Sequence, residues 1–212
     1  MAISDELPWV DSPLPGVQRR LLERDGDEVA RATSIVRYAP NSSFDPHEHA
    51  LGEEFLVLDG VFSDEMGDFP AGMYVRNPPG SGHRPHTDGG CTIFVKLRQF
   101  ALSDKAYVRI DTTEQSAWEA GPIEGLEVLR LHAYGDEEVM MLRMRAGTAY
   151  PSHEHPGGEE IFVVDGAFED EQGRYSKGTW VRYPAGSAHT PSSRQGCTLY
   201  LKKGHLHRLA GR

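Results

Sequence analysis

Cysteine is scarce in this sequence, and its scarcity excludes a disulfide-stabilised secreted protein. Only two of the 212 residues are cysteines, Cys91 and Cys197. They lie 106 positions apart, which is also the spacing of an internal repeat described below, and matching positions of two repeats are poor disulfide partners. We therefore expect reduced, buried thiols and a cytoplasmic protein.

The sequence also lacks an excess of basic residues and long apolar runs. The chain has 22 basic and 32 acidic residues, a net charge of −10, and its basic residues are scattered. Such a surface repels phosphate backbones and anionic lipid, so we expect neither nucleic acid nor a membrane as a partner. No secretory signal pattern or bilayer-spanning run is present. The expected partner is a small molecule. A homodimer formed through edge strands is one candidate oligomeric state, and the alternative is that two domains within one chain already satisfy that contact.

Helical periodicity is almost absent, and short alternating segments separated by turn residues predict an all-β sandwich or barrel. A turn is predicted at Asp59-Gly60, a hairpin tip over residues 64–68, and the best helix candidate over residues 113–120. Strands are predicted over residues 29–38, 52–60, 72–76 and 91–97.

One short motif carries the residue types of a metal centre. His47 and His49 are two positions apart, so on a strand their side chains share a face. Glu53 follows four residues later and can reach the same face, and His83 comes from a later strand after a Pro/Gly turn. Neutral imidazoles and a carboxylate bind divalent first-row metals, so these four residues are predicted metal ligands.

The same motif occurs again 106 residues later, as His153, His155, Glu159 and His189. Between the first and last histidine of each copy, 20 of 37 aligned residues are identical without a gap. This duplication predicts two tandem domains, residues 1–106 and 107–212. We expect one divalent ion per domain, and the ligand types leave Zn²⁺, Fe²⁺, Mn²⁺, Ni²⁺ and Cu²⁺ open.

Other candidate residues are assigned less specific roles. Glu54 and Glu160 follow the predicted ligands and should face the opposite side of the strand, as structural or supporting groups. His86 aligns with Ser192 and is typical of a solvent-facing loop, with a base or extra ligand at the first site as the alternative. His205 and His207 lack a following carboxylate and are predicted to be tail residues outside a site.

The residues resemble a known family. His47-x-His49-x3-Glu53-x6-Gly60 and Gly72-x5-Pro78-x-Gly80-x2-His83 are similar to the two motifs of the cupin superfamily, and the second repeat matches at every position. The resemblance implies a bicupin, two tandem jelly-roll (double-stranded β-helix) barrels. The 52–65 segment and the residues after it further resemble the cupin domain of ChrR-type anti-sigma factors and dihydroxyacetophenone dioxygenase-like cupins. The former implies zinc held by three His and one Glu, and the latter implies iron.

Two functions of different classes follow from this resemblance. The first is a metal-dependent dioxygenase acting on a small keto or phenolic compound, although no acid–base pair beyond the ligands is recognisable. The second is a ChrR-like metal-binding sensor, although the helical anti-sigma domain of that family has no counterpart before residue 29. A manganese-dependent decarboxylase or an isomerase also fits a bicupin. No catalytic residue is assigned, and fold alone does not choose among these functions.

Overall fold

The computed structural model describes residues 2–26 and 30–206. These residues form two compact units. The N-terminal unit comprises residues 4–113, apart from 27–29, and the C-terminal unit comprises residues 114–206 together with residues 2 and 3. Strand β1 (Ala2–Ile3) therefore belongs to the C-terminal unit. Short 3-10 helices occupy Ser4–Glu6 and Gln115–Ala117.

The N-terminal unit is built from antiparallel strands. Its strands are β2 (Val10–Asp11), β3 (Val17–Asp25), β4 (Arg31–Tyr38), β5 (Ser42–Ser43), β6 (His47–His49), β7 (Glu53–Asp64), β8 (Gly67–Pro70), β9 (Met73–Asn77), β10 (Ser81–His83), β11 (His86–Thr87), β12 (Cys91–Leu97) and β13 (Val108–Asp111). The main sheet has the order β13-β9-β7-β12-β4-β3-β2, and β6 pairs separately with β10.

The C-terminal unit repeats this arrangement. Its further strands are β14 (Glu119–Ala120), β15 (Leu126–Tyr134), β16 (Glu137–Met144), β17 (Thr148–Ala149), β18 (His153–His155), β19 (Glu159–Asp170), β20 (Gly173–Ser176), β21 (Thr179–Tyr183), β22 (Ser187–His189), β23 (Ser192–Ser193) and β24 (Cys197–Lys203). The main sheet has the order β1-β21-β19-β24-β16-β15-β14, and β18 pairs with β22. The two similar all-β units confirm the predicted fold class.

Each unit encloses its own hydrophobic core, formed by side chains that alternate along the long central strands. In the N-terminal unit Phe55, Val57, Ile93 and Val95 are almost fully buried, and Cys91 packs with them. In the C-terminal unit the corresponding cluster includes Cys197. Both cysteines are buried free thiols, as expected.

The predicted turn at Asp59-Gly60 is wrong. Strand β7 continues through these residues to Asp64, and the register against β12 shifts between Asp59 and Val57. Gly60 has a φ of +72°. A glycine with positive φ inside a strand marks a bulge at which the strand bends, and here β7 goes on to pair with β8.

Other predicted boundaries differ from the observed ones in smaller ways. Of the predicted helix over 113–120, only the 3-10 helix and β14 form regular structure. The predicted strand 29–38 corresponds to β4, and Val29 lies outside the described residues. The hairpin tip over 64–68 is confirmed, since Asp64 pairs with Gly67. Among the described residues, no helix is long and apolar enough to cross a membrane.

We predict that Gly166→Ala, at the equivalent bulge of β19, destabilises the protein by more than about 4 kcal/mol. Gly166 has a φ of +72°, and an added Cβ would lie 2.1 Å from the carbonyl oxygen of Gly196. Gly135 is the matched control, because its φ is also positive (+58°) but its Cβ would meet nothing within 4 Å. Gly135→Ala should cost only about 1–2 kcal/mol. Urea unfolding measures both changes, and equal losses would contradict the bulge argument.

Candidate metal centres

In the C-terminal unit the four predicted residues come together. Strand β18 places His153 and His155 on one face, and the antiparallel partner β22 places His189 directly opposite His153. Glu159 is the first residue of β19. Each of the four offers one ligand atom, and these atoms all lie within 4.8 Å of one another. His155, Glu159 and His189 are buried, and His153 is half-buried.

The N-terminal unit brings three imidazoles together in the same way. Strand β10 places His83 opposite His47 of β6, and the ligand atoms of His47, His49 and His83 lie within 4.8 Å of one another. Glu53 contacts two of the three rings: its Oε2 lies 3.3 Å from His49 Nε2 and 3.6 Å from His83 Nε2.

A neighbour of Glu53 distinguishes the two centres. Asn77 Nδ2 donates a hydrogen bond of 3.2 Å to Glu53 Oε2, and Arg109 donates one of 2.6 Å to Asn77 Oδ1. In the C-terminal unit the position of Asn77 is taken by Tyr183, whose hydroxyl donates instead to Asp170. The Glu53 carboxylate is therefore held by the Asn77 amide. The Glu159 carboxylate instead lies 3.5 Å from His155 Nδ1 and 3.7 Å from His189 Nε2.

An outer layer of acceptors orients the imidazoles. His83 Nδ1 donates to Asp64 Oδ2 (2.9 Å), and His189 Nδ1 donates to Asp170 Oδ2 (3.2 Å). The Nδ1 atoms of His47 and His153 lie 3.1 and 3.0 Å from backbone carbonyl oxygens. A proton held at Nδ1 leaves the Nε2 lone pair free to bind a metal, an arrangement typical of metal-ligating histidines.

Sequence reasoning missed Asp64 and Asp170, which the hairpins at the end of β7 and β19 bring to the histidines. A signal was present, because the two aspartates are also 106 residues apart. The adjacent Glu65 and Glu171 share that offset, and each accepts a hydrogen bond from the backbone N–H that follows the third histidine.

Burial favours the uncharged, metal-binding form of His155 and His189. Burial, and then the charges of His189 and His153, lower the pKa of His155 to about 4. Burial also lowers the pKa of His189, although the hydrogen bond to Asp170 opposes it. Burial raises the pKa of Glu159 to about 8, and the Lys203 ammonium opposes that rise.

The N-terminal centre has a different charge balance. Burial lowers the pKa of His49, with Glu53 opposing. Burial also acts to lower the pKa of His83, but the hydrogen bond to Asp64 and the charge of Glu53 raise it overall. The Nε2 atoms of His49 and His83 lie only 2.9 Å apart.

A divalent cation fits the C-terminal residues. Among the described residues, His155 Nε2 and Glu159 Oε1 are buried without a hydrogen-bond partner. Leaving such atoms unsatisfied costs about 1–3 kcal/mol each. Three imidazoles and one carboxylate are a donor set that suits Zn²⁺ or Fe²⁺. A bound ion would satisfy Glu159 Oε1, which lies 3.7 Å from His189 Nε2.

The C-terminal centre opens on a cavity of about 870 Å³. Its wall beside the four candidate ligands is mainly aliphatic and is formed by Leu126, Val128, Met140, Leu142, Met144, Ile161, Leu199 and Leu201. Such a volume and lining are typical of a small-molecule site.

Aromatic rings occupy the corresponding interior of the N-terminal unit. Phe55 and Tyr38 stand at the positions of Ile161 and Met144. The ring centroids of Phe55 and Phe62 are 4.6 Å apart, those of Tyr38 and Phe62 are 5.9 Å apart, and Phe62 lies 5.9 Å from the His83 ring. The two centres thus share their histidines but differ in the space beside them.

The remaining candidates lie away from these clusters. His86 is exposed on β11 and is not in the group of mutually close ligand atoms. Glu54 and Glu160 face away, each buried in an ion pair with an arginine of its own unit. His205 lies outside the cluster, as predicted, but is a fully buried residue 3.2 Å from Glu160 and not part of an exposed tail. His207 lies outside the described residues.

A family model described as the ChrR cupin-like domain matches residues 1–101 and again residues 105–207. No curated protein matches the chain in sequence.

Solved structures with the same fold include three proteins of low sequence identity. A candidate dioxygenase from Nostoc punctiforme is 15% identical, with a TM-score of 0.75 over 95% of this chain and 78% of that one. The Escherichia coli protein YlbA is 17% identical, with a TM-score of 0.72 over 95% and 89%. A variant of Bacillus subtilis oxalate decarboxylase is 12% identical, with a TM-score of 0.66 over 96% and 77%. These likenesses concern the fold.

We predict that Asp170→Asn lowers the zinc affinity of the C-terminal centre about 10- to 100-fold, because His189 loses the carboxylate that holds its Nδ1 proton. Competition with a chromophoric chelator measures the affinity. Asp165→Asn is the matched control, because Asp165 is an exposed carboxylate paired with Lys177. An unchanged zinc affinity in Asp170→Asn, or an equal loss in the control, would contradict the assigned role.

Proposed function

The chain belongs to the family of ChrR cupin-like domains, and on this basis we propose that it is a metal-dependent oxidoreductase of the dioxygenase type. The proposed substrate is a small keto or phenolic compound. The C-terminal unit carries the reaction, at His153, His155, Glu159 and His189. The N-terminal centre, with His47, His49, Glu53 and His83, binds a second ion whose role is mainly structural.

One observation carries this proposal: the C-terminal His/Glu cluster lines a cavity large enough for a small molecule, with a mostly aliphatic wall. A metal that only stabilised the fold would need no such space beside it. Apolar walls also exclude water, which strengthens electrostatic contacts with a bound substrate. In the N-terminal unit the rings of Tyr38 and Phe55 fill the matching region, which favours a structural ion there.

The protein's own residues perform binding and orientation. Three imidazoles and the Glu159 carboxylate would hold the ion on one side and leave its cavity side to substrate. Asp170 and Tyr183 keep the His189 ring in place, since Tyr183 also packs 4.3 Å from that ring. When bound, Fe²⁺ would supply the redox and Lewis-acid chemistry of dioxygenation. The aliphatic wall would position the rest of the substrate.

A metal-binding sensor is the second candidate. The match to ChrR cupin-like domains over both repeats favours it. In that case the cavity would bind an effector, and the output would be a change in the affinity for a separate protein.

Elemental analysis of protein purified without added metal tests the choice. We expect roughly two equivalents of iron per chain, because each repeat supplies an imidazole-rich donor set. His155→Ala and His49→Ala should each remove about one equivalent. An oxygen electrode should then detect O₂ consumption with β-diketones or hydroxyacetophenones, about a thousandfold slower in His155→Ala and within about tenfold of wild type in His49→Ala.

The opposite outcomes identify the alternatives. Zinc at both centres, with no O₂ consumption by zinc- or iron-loaded protein, would favour the sensor. A folded protein that binds no divalent metal would overturn both candidates. Greater loss of activity in His49→Ala than in His155→Ala would assign the reaction to the N-terminal unit instead.

A further inference from the structure

A row of charged side chains crosses the C-terminal sheet beside the candidate metal centre. Glu159 of β19 is directly opposite Lys203 of β24, and Lys203 is directly opposite Glu138 of β16. Residues directly opposite on neighbouring strands project from the same face with their Cβ atoms about 4.5–5.5 Å apart. Lys203 is therefore the cross-strand neighbour of a predicted metal ligand.

Contacts hold this lysine at the cavity. Lys203 Nζ lies 3.2 Å from Glu138 Oε1, and Glu138 Oε2 lies 3.9 Å from Arg130 Nη1. The Lys203 side chain is still 42% exposed. All three residues line the same cavity as the four candidate ligands. The ammonium is thus oriented by one carboxylate and remains accessible to a molecule in the cavity.

The N-terminal repeat lacks this row. Glu53 is opposite Leu97, and Leu97 is opposite Ala32. Leu21 stands at the position of Arg130, and Arg19 lies two residues before it on the same strand. The charged row is therefore particular to the C-terminal repeat, where it lines the cavity. Because the matching N-terminal strands pair without it, the barrel fold itself does not require this row.

A purely structural role is a weak explanation for the pair. A half-exposed cross-strand ion pair contributes only about 0–1 kcal/mol to stability. The N-terminal sheet has the same strand order with a Leu–Ala pair at this place. An ammonium group that lines the cavity next to a candidate metal centre instead suits a ligand with a negatively charged oxygen.

We propose that Lys203, positioned by Glu138, binds an anionic oxygen of the molecule in the C-terminal cavity. The cavity would then select small, largely apolar molecules that carry one negative charge close to the metal centre. This inference rests on the proposed function for the identity of the site, and it narrows the substrate to anionic oxygen compounds such as carboxylates, phenolates or enolates.

Two probes of the same shape test this selection on the full-length, zinc-loaded protein: 4-tert-butylbenzoate and the neutral 4-tert-butylbenzamide. Isothermal titration calorimetry measures both affinities. Lys203→Leu introduces the residue found at the matching N-terminal position. It should weaken benzoate binding about tenfold, because one charge-assisted contact is lost. Binding of the benzamide should change less than twofold. Lys203→Arg should retain most of the preference.

Lys177→Leu is the matched control, because Lys177 is an exposed lysine paired with Asp165 outside the cavity. It should leave both affinities unchanged. Should Lys203→Leu fold poorly, the double variant Lys203→Leu/Glu138→Ala replaces the whole pair with its N-terminal counterpart. Circular dichroism and zinc content verify the fold and the metal centre of each variant.

The inference is overturned if Lys203→Leu weakens both probes equally, if it weakens neither, or if wild-type protein fails to bind the benzoate at millimolar concentration. Its failure is separable from failure of the proposed function, because binding is measured on zinc-loaded protein without turnover. Selective binding without O₂ consumption in the iron-loaded protein would retain Lys203 as an anion-binding residue and remove only the dioxygenase proposal.

Discussion

The antiparallel pairing of a two-histidine strand with the strand that carries the third histidine is the constraint on which each unit depends. Pairing β18 with β22 sets His153 opposite His189, and pairing β6 with β10 does the same for His47 and His83. A one-residue slip of either pair would turn the side chains to the other face. The centre and the strand register therefore support each other, and the outer acceptors then orient the rings.

Duplication preserved the histidines while their surroundings diverged. Near the N-terminal centre an amide, Asn77, engages the carboxylate and aromatic rings fill the interior. Near the C-terminal centre Tyr183 occupies the amide's place and aliphatic side chains border an open cavity. The same ligand types can thus stabilise one unit and serve binding in the other, because the side chains next to a metal determine its access and charge.

The sequence predicted the structure best where side chains alternate along a strand or where the two repeats can be aligned. The alternation of strands and the offset of 106 residues predicted the all-β units and the grouping of the histidines. Asp170 was missed because its contact with His189 depends on a hairpin that returns to the site, which no short motif reports. The predicted turn at Gly60 is wrong because glycine adopts a positive φ both in turns and in strand bulges, and the sequence does not distinguish the two. Lys203 belongs to no motif, and its proposed role is recognised when the paired strands of the two repeats are compared.

Charge balance connects the C-terminal metal proposal with the choice of ligand. A divalent ion held by three neutral imidazoles and one carboxylate retains one positive charge, and in a mainly apolar cavity that charge is poorly screened. Opposite unit charges 4 Å apart interact by about 4 kcal/mol at an effective dielectric constant of 20. An anionic oxygen on the bound molecule would neutralise the centre. Because Lys203 is already paired with Glu138, it can orient that oxygen without adding net charge to the site.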